Sequence, residues 1–251
     1  KNIVAIKVIR DVARYRHAAE KEARILQHLA ATKHHPYHPA RPARELQTAR
    51  GMQQDSKSGI YGVNPLLGWF RMGGHMALVF PPLGCSLYDF LRANRFSPMF
   101  PHHIKHIAQQ LLTTCAGLHQ IGVVHADIKP ENILLVDASY TTVQIQNLTV
   151  NVPLCTDIRM VDFGTAVFDS HEKPMIVVSR SYRPVEVVLG LEWSFGVDLW
   201  AIGCVLMELY TGHRLFNISS SADDVSHVKL MEQMLGPVPV EIKSKSRLCS
   251  T

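Results

Sequence analysis

"VVHADIKPENILL", residues 123–135, decides how the rest of the chain is read. Apolar residues open and close it, yet its middle packs His125, Asp127, Lys129 and Asn132 into eight positions. A core strand has no use for an imidazole, a carboxylate, an ammonium and an amide. Such a mixture in one short loop suits a site that handles charge.

Downstream, "MVDFG" places Asp162 thirty-five residues after Asp127, and upstream "VAIK" ends on Lys7. In this order the three pieces match the protein-kinase signature set. Each piece alone recurs by chance; the ordered set does not. Phosphoryl transfer asks little covalent chemistry of protein groups and much positioning and charge neutralisation, which calls for carboxylates, an amide and ammonium groups at one point. Asp127 is expected to accept the hydroxyl proton and orient the substrate, and Lys129 to neutralise the transferring phosphoryl. Asn132 and Asp162 are expected to supply hard oxygen ligands to Mg²⁺. Lys7 is expected to hold the α- and β-phosphates of ATP, fixed by an anion on the following helix, Glu22 first and Glu20 second. At the hinge, Phe80 stands behind the adenine, the Pro81 carbonyl accepts from its amine, and the Leu83 N–H donates, since Pro81 and Pro82 have none.

The bulk numbers permit this reading. With 251 residues, 47% hydrophobic and 19% charged, the chain can bury a sizeable core. No run approaches the roughly 18 apolar residues of a membrane span, and the N-terminus lacks a signal-peptide pattern, so no membrane association is expected. Five widely spread cysteines with no C-x-x-C pair indicate neither a disulfide framework nor a zinc site. Residues 1–50 carry eleven Lys or Arg against four Asp or Glu, and the remainder fifteen against seventeen. Much of that basic excess lies near "ATKHHPYHPARPARELQTARGMQQDSKSG", residues 31–59, which has one aromatic and no periodicity. It reads as a surface insertion, and direct nucleic-acid binding is not expected.

The hydrophobic pattern orders the elements. "IVAIKVI" alternates as a strand, and Ala18, Ala19, Ala23, Leu26 and Leu29 recur as a helix. "LLGWFRM" and "HMALVF" read as two strands joined at Gly73-Gly74. Beyond Pro82, Ile104 to Leu118 recur at helical spacing, and "VDLWAIGCVLMELY" is apolar nearly all round, as a central helix is. The expected fold is therefore α+β and bilobal. A small β-rich lobe with one helix spans residues 1–82, with an insertion at about 33–60. A larger, mainly helical lobe spans 83–251, with a second insertion at about 137–157.

"GWFRMGGHMALVFPPLGCSLYDFLRAN" (68–94), the run from Arg159 to Phe216, and "SHVKLMEQMLGPVP" (226–239) resemble the LAMMER (CLK-type) kinases of the CMGC group. SR-protein kinases and the DYRK group are the neighbouring families. The resemblance implies a dual-specificity kinase, monomeric, that phosphorylates Ser in Arg/Ser-rich splicing factors in the nucleus, with the cytoplasm as a second location. It also implies that Glu131 meets an Arg of the bound peptide; in "VVSRSYR", Ser179 is expected to hydrogen-bond near Asp127 and Lys129, and Arg180 and Arg183 remain as anion partners, with Arg183 placed at the substrate side. The signature "EHLAMMERILG" reads here "SHVKLMEQMLG", and A-P-E reads Pro184-Val185-Glu186. His-Thr-Asp or His-Arg-Asp reads His125-Ala126-Asp127, so the position where many kinases carry an arginine that holds a phosphorylated activation segment is an alanine. Measured against that fold, the chain is expected to open at the third strand, without the Gly-rich loop, and to stop before the last helices. The activity of the 251 residues alone stays open. The alternative class is a pseudokinase or scaffold that binds without chemistry; retention of Lys7, Asp127, Asn132 and Asp162 counts against it.

Overall fold

Strand β1, Ala5–Ile9, alternates its side chains, and it pairs antiparallel with β3, His75–Phe80, in a register that sets Lys7 opposite Leu78. Strand β2, Gly68–Met72, takes the other edge of β3, giving the order β1-β3-β2. Gly73 and Gly74 join β2 to β3 with φ of 54° and 86°, the paired positive values a two-residue hairpin requires. The computed structural model describes residues 3–32, 59–145, 147–219 and 221–246. The expected insertion at about 33–60 therefore lies outside the described residues, apart from Gly59 and Ile60.

Helix α1, Ala13–Ala31, serves two cores because its apolar residues fall three and four apart. Ala19 and Ala23 pack with Met76 and Leu78 beneath the sheet. Ile25, Leu26 and Leu29 join the larger core of the helical part. That part starts with α2, Leu87–Ala93, whose N-cap Ser86 accepts the Asp89 N–H at 3.0 Å. Helix α3, Pro101–Gln120, carries Pro at its first position and buries Ile107, Leu111, Cys115 and Leu118. It packs against α5, Gly196–Thr211, the expected central helix, which ends where Gly212 adopts a φ of 77°. Short strands β4 (Val123–Val124), β5 (Ile133–Leu135), β8 (Ile158–Met160) and β9 (Val167–Phe168) lie between the two parts and pair as β4-β9 and β5-β8.

The expected insertion at about 137–157 is an antiparallel hairpin, β6 (Tyr140–Ile145) and β7 (Leu148–Pro153). Asn94, just past α2, holds it reciprocally: its side-chain N–H donates to the Asn151 carbonyl and its side-chain oxygen accepts the Asn151 N–H, both at 2.8 Å. Helix α4, Val185–Val188, α6, Asp224–Leu235, and α7, Val240–Lys243, complete the described chain. Among the described residues no helix is long and apolar enough to cross a membrane.

One buried group in α6 makes stability depend on acidity. His227 is fully buried, and neither ring nitrogen has a partner among the described residues. Burial, then the charges of Arg180 and Arg183, lower its pKa from 6.5 to about 4, against a smaller opposing effect of Asp224. The unfolded chain therefore takes up this proton first as pH falls, so stability is full above pH 6.5 and drains away towards pH 4. The full loss is about 3 kcal/mol. His227→Leu should remove most of that slope when urea denaturation is followed at pH 7 and at pH 4.5. An unchanged difference between the two pH values would show that His227 does not carry it.

Candidate active site

The loop after β4 is held from below by one carboxylate. Asp198, 1% exposed in the first turn of α5, accepts the His125 N–H on Oδ2 and the Ala126 N–H on Oδ1, each at 2.9 Å. His119 of α3 adds its Nε2 at 2.9 Å from Oδ2. Ala126 sits at a φ of 61°, a conformation an alanine adopts only when its surroundings impose it. Cys115 lies within 4.8 Å of His119 and Asp198. Both oxygens of Asp198 are already taken by N–H donors, so this trio is a hydrogen-bond hub beneath the loop. His125 completes the underside: Nδ1 accepts the Asp127 N–H at 3.2 Å, Nε2 reaches the Val161 carbonyl at 3.1 Å, and the ring meets Phe163 edge to face.

Above that floor the polar residues of the loop converge. Lys129 Nζ donates to Asp127 Oδ2 at 2.7 Å and to Ser179 Oγ at 2.9 Å. Ser179 Oγ donates to Asp127 Oδ1 at 2.8 Å. The Asn132 amide nitrogen is committed to Asp127, to its carbonyl at 2.9 Å and its Oδ2 at 3.2 Å, which leaves the amide oxygen as the donor for a cation. The Asn132 carbonyl accepts the Val161 N–H at 3.0 Å, so the chain enters Asp162 at a fixed distance from Asn132.

Across the cleft, Lys7 Nζ binds both oxygens of Glu22, at 3.0 and 2.9 Å, and Asp162 Oδ1 at 2.9 Å. Glu20, the second candidate, points elsewhere and pairs with Arg71 at 2.7 Å. Burial opposes the charge on Lys7, but Glu22 and Asp162 outweigh it and its pKa is raised. Burial likewise opposes ionisation of Asp162, and Lys7 with the Gly164 N–H overcomes it, holding the carboxyl below its usual range. Asp162 takes a φ of 62°, which turns the following Phe163 into the core while its own side chain stays 48% exposed. An ionised carboxylate and an amide oxygen are a hard-oxygen donor set, which fits Mg²⁺.

The hinge runs from Phe80 through Pro81, Pro82 and Leu83 to α2. It is zipped to β5, with Gly84 N–H to the Leu135 carbonyl at 2.8 Å and Leu135 N–H to the Cys85 carbonyl at 3.0 Å. No backbone carbonyl among the described residues accepts the Leu83 N–H. Leu134 is a site residue that the motifs do not mark. It is partly exposed between buried Ile133 and Leu135 and bridges Ser86, so it offers an apolar floor beside the hinge. No alternation marks it in the sequence, because Ile133, Leu134 and Leu135 are all apolar.

On the substrate side the three expected residues divide. Ser179 joins the Asp127 and Lys129 cluster. Glu131 lies in the turn between Lys129 and Asn132, with Oε1 3.9 Å from Arg214 Nη2. Arg183 turns inward instead: its Nε donates to the carbonyls of Val177 and Val178 at 3.2 and 3.3 Å, and Nη2 to Val178 at 3.1 Å. It braces the segment at Val178, where φ is 64°. Arg180 does the same at the start of α6, donating to the Ala222 and Asp223 carbonyls at 2.6 and 3.1 Å.

Comparison with known proteins agrees with this geometry. Residues 1–248 match the family described as protein kinase domain. The dual specificity protein kinase CLK4 of Mus musculus is 35% identical over 246 residues, covering 97% of this chain and 46% of the relative. The serine/threonine-protein kinase Doa of Drosophila melanogaster is 36% identical over 249 residues, covering 98% and 27%. AFC2 of Arabidopsis thaliana is 35% identical over 253 residues, covering 98% and 53%. A crystal structure of a kinase domain superimposes with a TM-score of 0.79 at 30% identity, covering 96% of this chain and 65% of that one. The chain thus spans about half the length, or less, of these curated relatives. Family match, fold and the convergence of Lys7, Glu22, Asp127, Asn132 and Asp162 lead to one assignment: the chain belongs to the protein kinase domain family.

Proposed function

We propose that the protein carrying this chain is an ATP- and Mg²⁺-dependent dual-specificity kinase whose substrates are Arg/Ser-rich splicing factors, working as a monomer in the nucleus. The observation that carries it is the cluster in which Asp127, Lys129, Asn132 and Ser179 share hydrogen bonds of 2.7 to 3.2 Å. Asp127 Oδ1, held in place by Ser179, accepts a proton from the substrate hydroxyl. Lys129 stands beside it to neutralise the phosphoryl oxygens in flight, and Lys7, oriented by Glu22, holds the α- and β-phosphates. Asp162 and Asn132 would hold Mg²⁺, which would supply neutralisation of phosphate charge. The hinge receives adenine through the Pro81 carbonyl and the Leu83 N–H, over Leu134 and in front of Phe80. A pseudokinase or scaffold is the competing class, and no displaced catalytic residue supports it.

Substrate choice is assigned to Glu131, whose carboxylate lies four residues past Asp127 and is 36% exposed. The test uses the full-length protein, labelled ATP and two peptides, one Arg/Ser-rich and one with its arginines replaced by alanine. Transfer to the first is expected, and Glu131→Gln should raise its KM about tenfold, the loss of one charge-assisted contact, while leaving the second within twofold. Equal effects on both peptides would remove Glu131 from substrate choice. Absence of transfer with ATP still bound would favour the pseudokinase.

A further inference from the structure

Arg214 follows the C-cap Gly212 of α5 and reaches back beneath the catalytic loop. There it stands 3.9 Å from Glu131 and near enough to Glu208 to lower its pKa. Glu208 is buried, and burial raises its pKa against the lowering effects of Tyr182 and Arg214. It accepts the Tyr182 hydroxyl at 2.6 Å. Glu131 is served far less well. Its Oε2 is buried without a partner among the described residues, and its Oε1 faces the Arg214 guanidinium only at 3.9 Å, beyond hydrogen-bond reach. A guanidinium free to dock on a carboxylate forms a fork of two bonds near 2.8 Å. Arg214, 41% exposed, holds an ion pair and no fork.

A buried acceptor left empty, with a loosely seated arginine beside it, identifies what the position takes. We infer that Arg214 is a placeholder: it occupies the arginine-binding position at Glu131 and Glu208, and a substrate arginine displaces it to bind there. The inference rests on the proposed role of Glu131 and adds a specificity-determining residue to it. A half-exposed pair without hydrogen bonds is weak, so displacement costs little. In return, Glu131 gains a guanidinium that can pair with it at hydrogen-bond distance once Arg214 has moved aside. Arg214 thereby lowers the affinity for arginine-bearing substrates in general and leaves an advantage to those whose arginine docks with full geometry.

The test compares Arg214→Ala and Arg214→Lys in the full-length protein, by calorimetric binding of the Arg/Ser peptide and its arginine-free counterpart and by turnover of both. Arg214→Ala should bind the arginine-bearing peptide about fivefold more tightly and lower its KM equally, with kcat unchanged and no change for the arginine-free peptide. Arg214→Lys, which keeps the charge, should stay close to the parent. Tighter binding without any turnover would uphold the placeholder and overturn the kinase reading instead. Unchanged or weaker binding of the arginine-bearing peptide would overturn the placeholder. So would an equal fall in kcat on both peptides with a lower melting temperature, because Arg214 would then only support Glu208 and Tyr182.

Discussion

Asp162→Asn in the full-length protein should abolish phosphoryl transfer, by about a thousandfold or more, and leave the fold intact. The carboxylate is the only ionised oxygen ligand among the residues assigned to Mg²⁺, and an amide is a much poorer partner for a hard divalent cation. A thousandfold corresponds to about 4 kcal/mol of transition-state stabilisation, the scale of removing one preorganised charge from a closed site. Folding is spared because the Asp162 side chain is 48% exposed and its partner Lys7 keeps both bonds to Glu22. Transfer measured at saturating ATP, together with the melting temperature, separates the two effects. Turnover within tenfold of the parent would sink the assignment of Asp162 as the metal carboxylate.

Asp198→Ala should have the opposite profile, destroying structure first. Its carboxylate is 1% exposed and serves the N–H groups of His125 and Ala126 and the ring of His119. Alanine leaves two buried backbone donors without an acceptor and nothing to hold Ala126 at positive φ, a loss of about 3 to 5 kcal/mol. Since domains of this size hold only about 5 to 15 kcal/mol, the variant should unfold at much lower urea or fail to accumulate. Asp198→Asn, which keeps one carbonyl acceptor, should lie between. A loss under about 1 kcal/mol for the alanine variant would mean that the loop is anchored elsewhere.

Much of this arrangement is legible in the order of the amino acids. Glu22 over Glu20 follows from helix geometry: Glu22 shares a face with Ala19, Ala23 and Leu26, while Glu20, two positions away, points nearly opposite. The central helix announces itself by being apolar on all sides. The hairpin of β6 and β7 is harder to see, because no glycine lies between Tyr140 and Pro153 to signal a tight turn. The inward turn of Arg183 is not legible either. A guanidinium donates to a backbone carbonyl as readily as to a phosphate, and the choice is made by where Val177 and Val178 run. Arg214 offers no signal of its own, since its partner Glu131 is distant in sequence and meets it only through the packing of α5 beneath the loop.

The β5-β8 ladder has a consequence for how such a chain can change over time. Its three pairs run from Ile133 opposite Met160 to Leu135 opposite Ile158. Asn132 and Asp162 lie just beyond the first of these pairs, and the hairpin grows from beyond the last. The ladder therefore works as a clamp on a loop: whatever length is spliced in at the hairpin end, the other end meets the same two anchor points. Closing a loop of twice the length costs only about 0.6 kcal/mol more. Insertions there are insulated from the catalytic geometry, and a new surface can be added at that point while the chemistry a few residues away keeps its spacing.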